Sequence, residues 1–144
     1  MQRERGNNTH MKNTYINLPI RNVAATDAFF ASLEMVKNEK YSSENTTNAQ
    51  INENTFVMLL EDERFTTFVG GAPEAINNNL TIALQFDTKS DVDIFFEKAM
   101  TAGAVDATKA SPESEAFMYG KAFRDINGHI WELFTFIAEV PVSE

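Results

Sequence analysis

The chain has 144 residues, 43% of them hydrophobic, no cysteine and a formal net charge of −9 at pH 7. This composition fits one domain or two small fused modules, and it excludes disulfides, cysteine nucleophiles and cysteine metal sites. An acidic surface repels phosphate backbones and anionic lipid, so we expect neither nucleic acid nor a membrane as partner. The absence of cysteine and of an apolar run near the roughly 20 residues of a membrane span favours a cytoplasmic protein.

The first half of the chain predicts a strand, a helix and a hairpin. Residues 15–20 alternate between polar and apolar side chains, which is typical of a half-buried strand. Asn22 is a suitable helix cap, and apolar side chains at helical spacing predict a helix over about residues 24–35. Residues 46–53 indicate a weak strand and residues 55–61 a strongly apolar one, so we expect these two to form a hairpin.

The middle of the chain predicts a connector followed by a second strand and helix. Glycine, proline and asparagine in residues 65–79 indicate a connector with one short helical turn. Residues 80–87 alternate as a strand. Thr88 or Ser90 then caps a helix over about residues 91–102.

The C-terminal part predicts a second hairpin. Residues 105–108 form a short strand candidate. Residues 117–124 and 130–137 flank the sequence Asp-Ile-Asn-Gly at 125–128, and Asn-Gly supplies the left-handed residue that a tight hairpin needs.

An internal repeat relates the two halves of the chain. A shift of 66 residues places Leu18 on Leu84 and the helix residues 27–30 on 93–96. Strand falls on strand and helix on helix, and the two hairpins match as well. The sequence therefore predicts an α+β fold of two β-α-β-β-β modules in one chain, whose strands form a curved mixed sheet around a central cavity.

The expected segments follow from this repeat. They are an N-terminal flexible tail (1–13), a domain (14–137) that comprises module one (14–62), a connector (63–79) and module two (80–137), and a C-terminal tail (138–144). Either of the two methionines in the N-terminal tail could be the natural start.

Strand alternation assigns each side chain to one of two faces. The residues expected beneath the helices are Ile16, Leu18, Ile20, Ile82, Leu84, Phe86, Trp131 and Leu133. The opposite, helix-free face is expected to line the cavity, with Ala83 among its side chains. The candidate ligand-binding residues there are Tyr15, Asn17, Met58, Thr81, Gln85, Met118, Glu132 and Phe134. Aromatic and thioether groups with a few polar ones are typical of small-molecule sites.

Two motifs resemble the vicinal oxygen chelate superfamily of glyoxalases, bleomycin-resistance proteins and extradiol dioxygenases. Residues 16–23, followed by a helix with Phe29-Phe30, resemble its first strand and helix. Residues 123–133, Phe-Arg-Asp-Ile-Asn-Gly-His-Ile-Trp-Glu-Leu, resemble its last hairpin, with Ile126-Asn127 in place of Pro-Asp. The resemblance covers about residues 14–137 and is nearest to the uncharacterised glyoxalase-like branch, often labelled lactoylglutathione lyase-like. It implies a ligand-binding cup and a homodimer.

The resemblance also implies positions for a divalent metal. Metal enzymes of the superfamily hold Zn, Ni, Mn or Fe with four side chains, two from each half. Carried over, these positions are Tyr15, Met58, Thr81 and Glu132, and only Glu132 is a usual ligand type. We therefore predict no cofactor, with a divalent metal as the alternative.

The sequence leaves more than one function open. The first is a metal-independent protein that binds a small organic compound, such as a basic one, through Glu132, Tyr15 and Gln85. The second is a lyase, isomerase or dioxygenase that uses an unusual metal site or Glu132 as a general base. The third is an interaction domain that uses an exposed sheet edge. His129, just after the hairpin turn, is expected to be a turn or packing residue.

Overall fold

The computed structural model describes residues 10–73 and 78–141. The elements are β1 (Thr14–Ile20), α1 (Val23–Ser32), a one-turn 3₁₀ helix (Glu39–Tyr41), β2 (Thr46–Asn52), β3 (Thr55–Glu61), α2 (Asp62–Val69), β4 (Thr81–Gln85), α3 (Lys89–Thr101), β5 (Val105–Asp106), β6 (Met118–Arg124) and β7 (Ile130–Phe136). Each predicted strand and helix is present. The helix α2, however, is longer than the expected single turn.

The helix ends are set by local geometry. Asn22 and Thr88 cap α1 and α3, accepting hydrogen bonds from the backbone N–H groups three residues on. The helix α1 ends three residues before the predicted Met35, because Glu34 adopts a left-handed backbone conformation with φ of 61°. No glycine marks that position, so the sequence carried no stop signal there.

The strands form two sheets with matching topology. Sheet A has the order β1-β3-β2 and sheet B the order β4-β7-β6-β5. In each, the first strand of the module lies parallel to the last, with Leu18 opposite Leu59 and Leu84 opposite Leu133. Leu18 and Leu84 are therefore equivalent, and the predicted α+β fold of two modules is confirmed.

The repeated aspartates make equivalent contacts in the two modules. Asp27 of α1 accepts a hydrogen bond from Thr47 of β2, and Asp93 of α3 pairs with Lys121 of β6 at 3.1 Å. Thr47 and Lys121 hold the same register position, since each lies opposite the matched leucine of the last strand. The repeat thus preserves the contact that fixes each helix on its sheet.

The helix α1 lies between the two sheets. It packs on β2 and β3 of its own module, while Phe30 lies 5.5 Å from Trp131 and Phe29 lies 6.1 Å from Phe123, ring centroid to centroid, in sheet B. All four rings are buried. The buried side chains of α1 are Thr26, Phe29 and Phe30, whereas its alanines are exposed. The two modules therefore share one hydrophobic core.

The helix-covered faces are as predicted. The side chains expected beneath the helices lie in the shared core or pack against it: Ile16, Leu18, Ile20, Ile82, Leu84, Phe86, Trp131 and Leu133. Since this core lies between the sheets, their helix-free faces point away from it. The strands thus form two sheets with α1 between them, rather than one curved sheet, and one chain leaves the helix-free face of sheet B open to solvent. Along the described residues, no helix has the length and apolar character to cross a bilayer.

Candidate functional site

The helix-free face of sheet B, called here the β7 face, carries most of the candidate residues. Ala83 lies opposite Glu132 in the parallel β4–β7 pair, and both are exposed. Thr81 donates a hydrogen bond to Glu132 from Oγ1 to Oε1 at 3.4 Å. Gln85 lies along the same face, and Phe134, half-buried, stands opposite it. The Glu132 side chain points away from the core, as predicted, with one hydroxyl donor beside it.

The face of sheet A that α1 does not cover, called here the β1 face, carries an aromatic cluster. Tyr15 stacks on Phe56 with ring centroids 5.3 Å apart, and Tyr41 meets both rings edge-on. Phe56 is buried although it is not part of the shared core. Asn17 lies opposite Met58 on this face, and both are half-buried. This face is therefore more buried than the β7 face, on which Thr81, Ala83, Gln85 and Glu132 are all exposed.

The sequence analysis missed two residues of the β1 face. Phe56 lies two positions from Met58 on the same strand, so strand alternation already placed it on this face. Tyr41 comes from the short 3₁₀ helix, and no periodic pattern in its polar surroundings indicated its position.

The candidate residues fall into two groups within one chain. The β1 face holds Tyr15, Asn17 and Met58. The β7 face holds Thr81, Gln85, Met118, Glu132 and Phe134. Since α1 and the core lie between the two sheets, these groups point away from each other.

The motif at the β6–β7 turn is structural. The buried Asp125 carboxylate accepts hydrogen bonds from the backbone N–H groups of Asn127 at 2.8 Å and His129 at 3.1 Å. Its second oxygen accepts one from the Trp131 indole N–H at 2.9 Å. This carboxylate holds the turn and the core tryptophan in one arrangement, so it is committed to the fold.

The same turn joins module two to module one. The Asn127 amide accepts a hydrogen bond from the Arg21 backbone N–H at 3.0 Å and donates one to the Thr26 hydroxyl at 3.1 Å. The His129 Nε2 lies 2.6 Å from the Pro19 carbonyl oxygen. His129 is thus a packing residue of the turn, as expected, and these contacts set the position of β1 relative to sheet B.

We expect Asn127→Ala to lower the free energy of unfolding by about 1–3 kcal/mol, because the Thr26 hydroxyl, which is buried, and the Arg21 N–H lose their partner. Chemical denaturation measures this loss. Asn54→Ala is the matched control, since Asn54 lies at the equivalent, exposed turn of module one. Equal effects of the two substitutions would contradict the joining role of Asn127.

The residues at the superfamily's metal positions do not fit a hard divalent ion. Tyr15 and Met58 supply a phenol and a thioether, Thr81 a hydroxyl, and Glu132 a carboxylate. Such ions prefer several carboxylate or imidazole ligands. Among the residues that the structure describes, no group of three or more histidine, aspartate or glutamate side chains could hold a metal.

Comparison with known proteins identifies the fold. No protein-family model matches the sequence, and no curated protein matches it significantly. Solved structures do match it. A hypothetical protein from S. aureus is 22% identical, with a TM-score of 0.76 over 88% of this chain and 95% of that one. A glyoxalase-related enzyme from Fulvimarina pelagi is 18% identical, with a TM-score of 0.73 over 88% of each chain.

A third structure, the fosfomycin resistance protein FosX from Listeria monocytogenes, is 15% identical, with a TM-score of 0.61 over 92% of this chain and 95% of that one. At these identities the likeness concerns the fold. This chain has the fold of the vicinal oxygen chelate superfamily, as found in glyoxalase-related and bleomycin-resistance-like proteins.

Proposed function

We propose that the protein binds a small organic ligand, without a metal, in a cup formed between the β1 face of one chain and the β7 face of a second chain. The observation that carries this proposal is that the β1 face and the β7 face bear the candidate ligand-binding side chains and point outward from a single chain. Tyr15 and Phe136 keep 43% and 42% of their surface exposed. Aromatic and apolar walls with a few polar groups are typical of ligand pockets.

A homodimer would complete this cup. The strands β1 and β4 lie at the edges of their sheets, so within residues 10–73 and 78–141 each has one side without a strand partner. Edge strands offer main-chain hydrogen-bonding groups to another chain. Joining two copies through these edges would bring the two faces around one hollow and cover the apolar groups that one chain exposes.

The chemistry of the β7 face favours a ligand with a basic group. Glu132 is an acceptor, and Thr81 and Gln85 add neutral hydrogen-bonding groups beside it. The net charge of −9 would also attract cations over distance. We place this activity in the cytoplasm, in keeping with the absence of cysteine.

A lyase or isomerase reaction is the second candidate. The Thr81 hydroxyl contacts the Glu132 carboxylate and so restricts its orientation, as a positioned general base requires. Glu132 is exposed in one chain, so the dimer and the ligand would have to bury it before it could act in this way.

The test is a thermal-shift screen of small organic cations, combined with sedimentation of the protein. We expect a dimer, and a true ligand at a hundredfold excess over its Kd should stabilise the protein by about 2.7 kcal/mol. Glu132→Gln should remove most of this stabilisation, because it removes the negative charge. Glu97→Gln, an exposed glutamate of α3, is the matched control.

Three outcomes would contradict the proposal. A monomer at all concentrations would remove the two-chain cup. A ligand that stabilises Glu132→Gln as strongly as the original protein would remove Glu132 from the site. Stoichiometric metal in the purified protein would overturn metal-independent binding.

A further inference from the structure

The geometry points to an oxyanion-binding site at the Tyr15–Tyr41 pair, which would take the carboxylate or phosphate group of a ligand. The inference rests on the proposed function, because the pair lies on the β1 face and would form one wall of the cup. Because Glu132 would form the opposite wall, an oxyanion-binding site here restricts the expected ligand to a compound with both a basic and an oxyanionic group.

One of the two phenolic O–H groups of the Tyr15–Tyr41 pair is a free hydrogen-bond donor. The two phenolic oxygens lie 3.1 Å apart, and the Asn13 amide donates to the Tyr15 oxygen at 3.2 Å. Each phenol has one O–H group. One of the two hydrogens forms the bond between the phenols, so within the described residues the other O–H has no protein acceptor. It is therefore available to a ligand oxygen.

Exposure favours Tyr15 as the free donor, because its side chain is 43% exposed whereas Tyr41 is half-buried. The hydrogen bonds with Asn13 and then Tyr41 lower the pKa of Tyr15, whereas the bond with Tyr15 raises the pKa of Tyr41. An oxygen that accepts two hydrogen bonds makes its own O–H a stronger donor.

The charge around Tyr15 is locally positive in an otherwise acidic protein. The ammonium groups of Lys40 and Lys12 also lower the pKa of Tyr15, and Lys40 Nζ lies 5.9 Å from the Tyr41 ring centroid. In the described part of the chain, neither lysine forms an ion pair with a carboxylate. A donor with two nearby cations favours an anionic oxygen over a neutral one.

The site is also held in place before a ligand arrives. The Tyr15 ring stacks on the buried Phe56 at an interplanar angle of 15°, and the Tyr41 ring is perpendicular to it at 89°. Binding of an anion therefore costs little conformational entropy, because both rings are already held in place. Tyr15 nevertheless remains 43% exposed, so an anion has access to its hydroxyl.

The experiment follows amide resonances of isotope-labelled protein during titration with sodium phosphate and, separately, sodium acetate. Sodium chloride at equal ionic strength is the reference. We expect saturable shifts at Tyr15, Tyr41 and their neighbours with the oxyanions, and not with chloride. Tyr15→Phe should weaken this binding about tenfold or more, because a hydrogen bond to a charged group is lost.

Tyr119→Phe is the matched control, because Tyr119 is the remaining tyrosine and bonds to Asp93 on the helix-covered side. It should leave oxyanion binding unchanged. Shifts that do not saturate, that chloride reproduces, or that survive Tyr15→Phe would overturn the inference. If an organic cation stabilises the dimer through Glu132 but no oxyanion binds, the oxyanion site is overturned and the proposed function is not. If oxyanions bind to a protein that is always a monomer, only the two-chain cup is overturned.

Discussion

Asp125→Ala is expected to lower the free energy of unfolding by about 3 kcal/mol. The carboxylate is 4% exposed and accepts three hydrogen bonds, from Asn127, His129 and the Trp131 indole. Each buried donor that loses its acceptor costs roughly 1–3 kcal/mol, and the fully buried Trp131 N–H has no access to water. Denaturant unfolding followed by fluorescence of the single tryptophan measures the change directly.

The control for this prediction is Asp87→Ala. Asp87 is an exposed aspartate between β4 and α3, so its removal should change stability by about 0.5 kcal/mol or less. An Asp125→Ala protein as stable as Asp87→Ala would show that the turn does not depend on the buried carboxylate.

Phe30→Ala is expected to cost about 3–5 kcal/mol, the usual range for removing a buried aromatic ring. Phe30 is 4% exposed and lies between Phe29 of its own helix and Trp131 of the other module. The cavity would therefore open at the contact between modules, and both modules should lose stability together. Circular dichroism, which reports both modules, should follow the same transition as Trp131 fluorescence, which reports module two.

Phe68→Ala is the matched control, since it removes the same ring from a position that is 63% exposed on α2. It should change stability little. Two separate transitions in Phe30→Ala, with module two unaffected, would contradict a core shared by both modules.

The joined turn links stability to the proposed function. Asp125 orders the turn, and Asn127 and His129 of that turn contact the Pro19–Thr26 region of module one. Glu132 lies on β7, three residues beyond the turn residue His129. The orientation of the β7 face relative to the β1 face therefore depends on contacts that do not belong to either face.

The sequence alone determined the elements and the repeat, because these depend on neighbours a few residues apart. Alternation defined β1 and β4, the side chains of Asn22 and Thr88 defined two helix starts, and Gly128, with φ of 92°, defined the last turn. The assignment of strand side chains to a helix-covered and a helix-free face followed from the same alternation, and the shared core agrees with it.

Only the tertiary structure decided how the two modules meet. The position of α1 between the sheets depends on contacts between residues that are far apart in the sequence. Thr26 contacts Asn127, 101 residues away, and Phe30 contacts Trp131. The contact between Tyr41 and Tyr15 depends on the path of the chain before β2, which no periodic pattern in the sequence predicts. The repeat in the sequence defines each β-α-β-β-β module but not how the two modules pack. Their packing depends on which contacts bury the most apolar surface, and those contacts join residues far apart in the sequence.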